Sequence, residues 1–474
     1  MLSPLCGSAR LRLPQRVIPR YGEHDFDEGT TVDVLWGIGG MTVLLLLAFL
    51  LSTNRRAIKL RTVAAAFALQ LGFGVLVLYW STGQWALEKT SAGVQAVINS
   101  SSAGIGFVFG PALPEDGLVF AFQVLPVIIF FASLTAVLYH WGILQKVVEG
   151  LGGVLQKLLG TGRAESVNAA ANIFVGQTEA PLVIRPYIRG LTRSGLFAVM
   201  VGGLSTVAGS VLVGYSLLGA PLEYLIAASF MAAPGALLMA KIIMPENPET
   251  DETTVKEPAL VGAGVDDTKR GGDGKVGATA LGADGKSAVG GSADGEDGDE
   301  EEGHRNVIDA AASGAADGLK LALNIGAMLL AFISLIALIN LFIGVVGGWF
   351  GYDALTFEQI LGYVFAPLMF VIGVDWSEAI RAGSFVGQKV VVNEFVAFAD
   401  FAPRIQEFSP KTAAIITFAL TGFANLGSLG ILLGGLGGIA PGRRRDIAEL
   451  GLRAIAAATL ANLMSAAIAG ILIG

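Results

Sequence analysis

Asn172-Ile173-Phe174-Val175-Gly176-Gln177-Thr178-Glu179-Ala180-Pro181-Leu182 sets amide, hydroxyl and carboxylate groups inside an otherwise apolar stretch. Asn393-Glu394-Phe395-Val396-Ala397-Phe398 does the same with an amide and a carboxylate. A carboxylate at membrane depth costs about 2.5–3.5 kcal/mol even on the mildest scale, so it is kept only with a partner or a purpose. The surrounding chain is that of a membrane protein. It has 474 residues, 53% hydrophobic and only 15% charged, too apolar for an ordinary soluble domain.

Charge is unevenly spread. Glu246 to Glu302 holds 16 acidic and 5 basic residues, a net of −11, which leaves +3 for the rest of a chain whose total is −8. The single cysteine, Cys6, excludes an internal disulfide framework. The three histidines are scattered, so no His/Cys metal cluster is expected. His140, in Tyr139-His140-Trp141, reads as part of an interfacial aromatic belt.

A helix crosses a bilayer with about 20 residues. Eight apolar runs approach or exceed that length: 34–52, 63–81, 117–144, 195–219, 224–240, 321–349, 412–440 and 454–474. Backbone groups in lipid must be satisfied within the segment, so these runs are helices. The alternation of a lipid-facing barrel is absent. Residues 84–113 mix Gln84, Glu88, Lys89, Gln95, Asn99 and serines with apolar residues, which predicts an amphipathic helix along the interface. Residues 150–190 and 363–400 are apolar yet broken by Gly, Pro and a carboxylate, which predicts two re-entrant hairpins. The expected fold is an all-α polytopic membrane protein with eight transmembrane helices plus these hairpins. Residues 1–33 are expected to be a disordered tail, and 246–306 a disordered acidic loop without aromatics. Between them lie 34–83, with the first two spans, and 84–245, with the interfacial helix, three spans and the first hairpin. The remainder, 307–474, holds three spans and the second hairpin.

Basic residues orient the chain. Arg55, Arg56, Lys59 and Arg61, then Arg185, Arg189 and Arg193, then Lys241, then Arg443, Arg444 and Arg445 all fall on one side if both termini lie outside. That places the acidic loop in the cytoplasm and the protein in the plasma membrane. Arg10, Arg12, Arg16 and Arg20 of the tail conflict with this orientation, but four internal loops agree on it.

Phe174-Val175-Gly176-Gln177-Thr178 recurs as Phe385-Val386-Gly387-Gln388-Lys389. Each copy lies in a hairpin, and each hairpin precedes a span with a polar interruption. These interruptions are Leu204 to Ser210 and Thr421 to Ser428. An odd number of spans separates the copies, so they enter from opposite sides. Such inverted repeats put a transport site at the midplane, where broken helices meet.

Gln177 and Thr178 both donate and accept, while Glu179 and Glu394 accept when ionised. Asn425 and Ser428 lie on one helix face, beside the apolar ring of Phe423. A carboxylate with an amide suits the vicinal hydroxyls of a sugar, and Gln/Thr edges with an aromatic wall suit a heteroaromatic base. The bland alternative is that both glutamates only tie helices together. Asn172 and Thr206-Val207 offer oxygens from two broken elements, the kind of set a sodium ion takes.

In these motifs, and in Leu51-Ser52-Thr53-Asn54-Arg55-Arg56-Ala57-Ile58, Phe122-Gln123-Val124-Leu125-Pro126, Gly422-Phe423-Ala424-Asn425 and Gly451-Leu452-Arg453-Ala454, the chain resembles the concentrative nucleoside transporters of bacteria and archaea. The resemblance spans about residues 34–245 and 307–474. It implies a homotrimer in which each protomer moves a transport domain against a scaffold that includes the first two spans. It implies that Gln177, Thr178, Glu179, Val211 and Phe423 face the nucleobase, and that Glu394, Asn425 and Ser428 hold the ribose. Asn172 and Thr206, with the carbonyls of Val175 and Val207, match the sodium site of sodium-coupled members. The expectation is sodium-coupled nucleoside symport, with no nucleic-acid partner. The alternatives are proton coupling through Glu179 or Glu394, a passive channel, and an enzyme, for which no nucleophile or metal cluster is visible.

Overall fold

The computed structural model describes residues 28–113, 119–246, 306–352 and 354–473. The expected tail up to residue 27 and the acidic loop from 247 to 305 lie outside the described residues. The rest is helical. Helix α1 runs Glu28–Leu50, α2 Leu60–Gly74 with a wider turn to Tyr79, and α3 Ser81–Phe109. A short α4, Phe120–Gln123, leads into α5, Leu125–His140. Helix α1 begins inside the stretch read as tail, because Asp33 interrupts the charge-free run but not the helix. Helix α3 covers the stretch expected to be amphipathic, and among the described residues it is the least apolar of the eight helices long enough to cross a membrane.

The first half continues with α6, Ile143–Leu159, α7, Arg163–Ala171, and α8, Arg185–Ile188. An interrupted span follows, α9 (Arg193–Ser205) and α10 (Gly209–Leu218), and then α11, Leu222–Ile243. The second half opens on α12, Val307–Gly348, and repeats this order. It has α13, Phe357–Val371, α14, Trp376–Val391, α15, Glu394–Phe401, a span broken into α16 (Pro410–Leu420) and α17 (Leu426–Ile439), and α18, Arg444–Ile473.

The hairpin boundaries need correction. Residues 143–159 are a separate amphipathic helix that buries Leu144, Val148, Leu155 and Leu159. It ends at Gly160, and the first hairpin starts at Arg163. The 15 residues of α13 are its counterpart, folded back on α14 through a bend of 118°. Pure hydropathy merges these helices with the hairpins because one face of each is apolar.

Helix α12 has 42 residues, which makes it about 60 Å long, twice the hydrocarbon thickness. It pairs with α5 through small residues. Gly314 and Gly318 face Ala132 and Ala136, and a Cβ on Gly318 would lie 2.7 Å from that of Ala132. Without a hydrophobic drive between helices in lipid, such close backbone approach supplies the association. Ser133 adds a hydrogen bond of 2.8 Å to the carbonyl of Ala311. Helices α1 and α2 pack instead on α11 and α18. Gln70 of α2 donates to Ser465 of α18 at 2.9 Å, while Trp36 of α1 reaches α13, donating to the carbonyl of Phe370 at 2.8 Å.

The four basic loops meet at one end of the bundle. Arg443 donates to the carbonyl of Leu191 at 2.6 Å, and Arg193 pairs with Glu449 at 2.8 Å. Lys241, almost fully buried, pairs with the buried Glu165 at 2.7 Å and with Glu246 at 3.3 Å, while Lys59 reaches Glu246 at 3.1 Å. Burial pushes the Glu246 carboxyl up, but Lys241 and then Lys59 outweigh it and hold the group below the usual carboxylate range. Removing one partner of a buried ion pair strands the other charge. Lys241→Met is therefore expected to cost about 3 kcal/mol of stability, most of it recovered in the double variant with Glu165→Gln. Thermal unfolding of the three purified proteins in detergent measures this, and equal melting temperatures would show that the pair is not strained by the loss.

Candidate functional site

Two helix N-termini build one side of the site. Asn393 caps α15, its Oδ1 accepting from the amide of Val396 at 2.8 Å. The cap puts Glu394 in the first turn, at the positive end of the helix dipole. Asn425 caps α17 in the same way, its Oδ1 accepting from the amide of Ser428 at 2.8 Å. That bond fixes the Asn425 amide group, so its Nδ2 points at Glu394 and donates to Oε2 at 2.9 Å. Tyr215 donates to the other oxygen, Oε1, at 3.1 Å.

Tyr215 is absent from the sequence reading. It sits in α10, fully buried, stacked on Phe398 at 4.3 Å and edge-on to Phe395 at 4.9 Å. These rings, one and four residues past Glu394, aim its hydroxyl. A lone tyrosine in an apolar span carries no signal of its own, and only the pairing with Glu394-Phe395-Val396-Ala397-Phe398 exposes its role.

The tip of the first hairpin supplies the other side. Gln177 is 5% exposed and donates to Ser428 at 3.4 Å, bringing the first hairpin to α17. Its Oε1 is buried and without a hydrogen-bond partner. Thr178 lies against α17, close enough that a Cβ on Gly435 would come within 2.9 Å of its methyl. Val211 is buried in α10, and Phe423 is half-buried in the second break. Glu179 stands apart from the Glu394 group. Its carboxylate turns back on the backbone of Gly176, and Tyr139 and Asp317, from α5 and α12, act on it electrostatically. Glu179 is exposed to solvent.

The oxygens read as ion ligands gather at the first break. Asn172 is fully buried, its Nδ2 donating to the carbonyl of Asn168 at 2.9 Å and its Oδ1 without a partner. Gly202 of α9 would place a Cβ 3.4 Å from Nδ2 of Asn172, so the amide lies against that helix. Thr206 is buried and leaves the helix in an extended conformation at the end of α9, its Oγ1 donating to the carbonyl of Gly202 at 2.9 Å. Val175 and Val207 are buried. The breaks are joined by the amide of Phe423, which donates to the carbonyl of Thr206 at 3.2 Å, and the first break is tied to the first hairpin by the amide of Gly209, which donates to the carbonyl of Phe174 at 3.1 Å.

The expected residues thus fall into three neighbouring groups. Glu394, Asn425, Ser428 and Gln177 are linked directly, Asn172 at the end of α7 and Thr206 at the end of α9 both lie against Gly202 of α9, and Glu179 faces α5 and α12. Lys389 and Asn462, also unforeseen, lie behind the second break.

Known proteins resemble this chain. Residues 224–470 match the family model of the Na+ dependent nucleoside transporter C-terminus, and residues 39–112 that of its N-terminus. Residues 121–222 match a nucleoside recognition model. An uncharacterized transporter of Bacillus subtilis, YutK, is 52% identical over 93% of this chain and 100% of its own. The nucleoside permease NupC of Helicobacter pylori is 44% identical over 93% of this chain and 98% of its own. The solved structure of CNTnw in an inward-facing substrate-bound state is 50% identical, with a TM-score of 0.80 over 93% of this chain and 98% of that one. These relatives are transporters and permeases, not enzymes, and the chain belongs to the concentrative nucleoside transporter family.

Proposed function

We infer that the protein is a symporter that carries nucleosides into the cell, driven by a sodium gradient, by alternating access. The observation behind this reading is the direct link between the two hairpins through Gln177, Ser428, Asn425 and Glu394. Glu394, Asn425 and Ser428 take the ribose hydroxyls. Gln177, Thr178 and Glu179, with Val211 and Phe423 as apolar walls, take the base. Oε1 of Gln177 is the buried acceptor left for it.

Sodium is cargo here, and the donors fit it. Asn172 Oδ1 is a buried oxygen with no partner, and with buried Thr206 and the carbonyls of buried Val175 and Val207 it would complete the set. An all-oxygen set without a carboxylate suits a monovalent hard cation. The hydrogen bond from Phe423 to Thr206 links the ion ligands to a wall of the base pocket. Whichever binds first orders that bond for the other, and such coupling is reciprocal. The exposed apolar residues of α12, Leu330, Ile333, Leu341 and Phe342 among them, offer lipid or sister chains a surface, in keeping with a homotrimer in the plasma membrane.

Asn172→Ala is expected to raise the sodium concentration for half-maximal uridine uptake by about tenfold, the loss of one ligating oxygen. Uptake into proteoliposomes with sodium and pH gradients imposed separately measures this. Uptake that follows the pH gradient alone would replace sodium by a proton.

A further inference from the structure

The two breaks differ in how their polar groups are satisfied. In the first half, Asn168, Asn172 and Gln177 each keep a buried oxygen without a partner. Among the described residues beyond Asp317, no buried side-chain polar atom lacks one. The second half holds a different group instead. Lys389, 1% exposed in the last turn of α14, has no carboxylate within ion-pair distance among the described residues. Its ammonium donates to the carbonyl of Ala419 at 2.7 Å and to Oδ1 of Asn462 at 2.8 Å. Asn462 passes the field on, donating to the carbonyls of Ser205 at 2.7 Å and Thr421 at 2.8 Å.

Ala419 lies in the last turn of α16, Thr421 just past its end, and Ser205 ends α9. A helix C-terminus presents unpaired carbonyls and a partial negative charge, which a cation complements. Each interrupted span therefore has a C-terminal end buried at the centre of the protein. The end of α9 carries Thr206 and Val207 beside Asn172. The end of α16 carries a covalently held ammonium. Glu394 acts on Lys389 electrostatically from beyond ion-pair distance, and a buried lysine with no carboxylate in contact is costly in a membrane protein and marks function by default. A methionine there would fill nearly the same space at no such cost. In the repeated pentapeptide Lys389 replaces Thr178, so the charge belongs to one copy only.

We propose that Lys389 is a tethered cation, holding at the end of α16 the place that a bound sodium ion holds at the end of α9, so that the carrier loads one mobile cation per nucleoside. This rests on the sodium reading of Asn172 and goes beyond it. A fixed charge draws no energy from the gradient. Its effect is to keep the α16–α17 break, and with it Phe423, Asn425 and the bond to Glu394, formed before any ligand arrives. The first break lacks such a charge and takes its final shape only with the ion. Lys389 touches neither cargo, so it is a positioning residue.

The test uses the purified full chain. Titrating sodium chloride calorimetrically into wild type with saturating uridine should give one ion per chain, and two would overturn the proposal. Lys389→Met, uncharged and of similar length, should weaken uridine binding by about tenfold at any sodium concentration. Lys389→Ala opens room for an ion, so the sodium dependence of its uridine binding should steepen from a Hill coefficient of about 1 towards about 2. Methylammonium chloride should restore its affinity while leaving wild type and Lys389→Met unchanged. A lysine needed only for packing would weaken both variants without steepening or rescue. Wild-type affinity in Lys389→Met would also refute the proposal. If uridine binding by wild type ignores sodium, the sodium reading falls by itself, and methylammonium rescue alone then decides for or against Lys389. Should neither variant fold, the ion count on wild type decides.

Discussion

Glu394→Gln is expected to weaken uridine binding by about a hundredfold while the folded protein persists, because in the proposed ribose role one change removes the charge from the hydrogen bonds to the sugar. The persistence follows from the geometry. Asn425 cannot turn its amide over, since its Oδ1 is held by the amide of Ser428. The glutamine oxygen must therefore take the Asn425 bond. That leaves the glutamine nitrogen facing Tyr215, whose hydroxyl rotates to accept instead of donating. Both protein partners stay satisfied, so melting of the variant should lie close to wild type. The substrate is less fortunate. Ribose hydroxyls that donate to a carboxylate meet a neutral oxygen and an amide donor. A hydrogen bond to a charged group contributes about 1.5–3 kcal/mol against about 1 kcal/mol for a neutral pair. Calorimetric titration of uridine, uptake into proteoliposomes and thermal unfolding separate the two effects. Normal uptake by this variant would end the ribose assignment and leave Glu394 as a helix tie. Tyr215→Phe is the weaker companion, removing one neutral donor.

How the residues around Glu394 were found marks the reach of the sequence. The spans were legible because charge-free runs of sufficient length have one physical outcome in lipid. The hairpin tips were legible because carboxylates there are costly, so Gln177-Thr178-Glu179 and Asn393-Glu394 stood out from their surroundings. Helices α6 and α13 were not separable from the hairpins. Each hides one apolar face against its neighbour, and the turns that divide them, at Gly160 and Gly373, look like any other glycine in a chain with 64 of them. Tyr215 and Asn462 were missed for another reason. Their partners lie 179 and 257 residues away along the chain, so neither makes a local pattern. Lys389 had a visible signal, a charge replacing Thr178 in a repeated motif, but not its reason: its acceptors are the carbonyl of Ala419 and the amide of Asn462. Glu179 was grouped with Gln177 through the family resemblance, and nothing in the sequence signals that Tyr139 of α5 and Asp317 of α12 also act on it.

Gly422→Ala is expected to abolish transport and to destabilise the protein by about 2–6 kcal/mol, combining backbone strain with overpacking. Gly422 lies at the second break with φ at +152°, a region that residues with a Cβ rarely enter. Space is lacking as well. An added methyl would meet the carboxamide of Asn462, with Nδ2 at 2.8 Å, and the carbonyl of Ser205, also at 2.8 Å. Neither can retreat cheaply. Asn462 accepts from Lys389 and donates to Ser205 and Thr421, so pushing it away breaks three bonds that join the second hairpin to both interrupted spans. The backbone at Ser205 cannot move without shifting Thr206, which carries the bond from Phe423. Relief of the clash at one break therefore distorts the other, and sodium and nucleoside binding should fail together. That joint failure distinguishes Gly422→Ala from Glu394→Gln, which should spare sodium binding measured without nucleoside. Calorimetric titration of each ligand alone, beside thermal unfolding, gives the comparison. A Gly422→Ala protein that binds either ligand with wild-type affinity would mean that the two breaks are mechanically independent, and the coupling would then need a route other than the contact between Phe423 and Thr206.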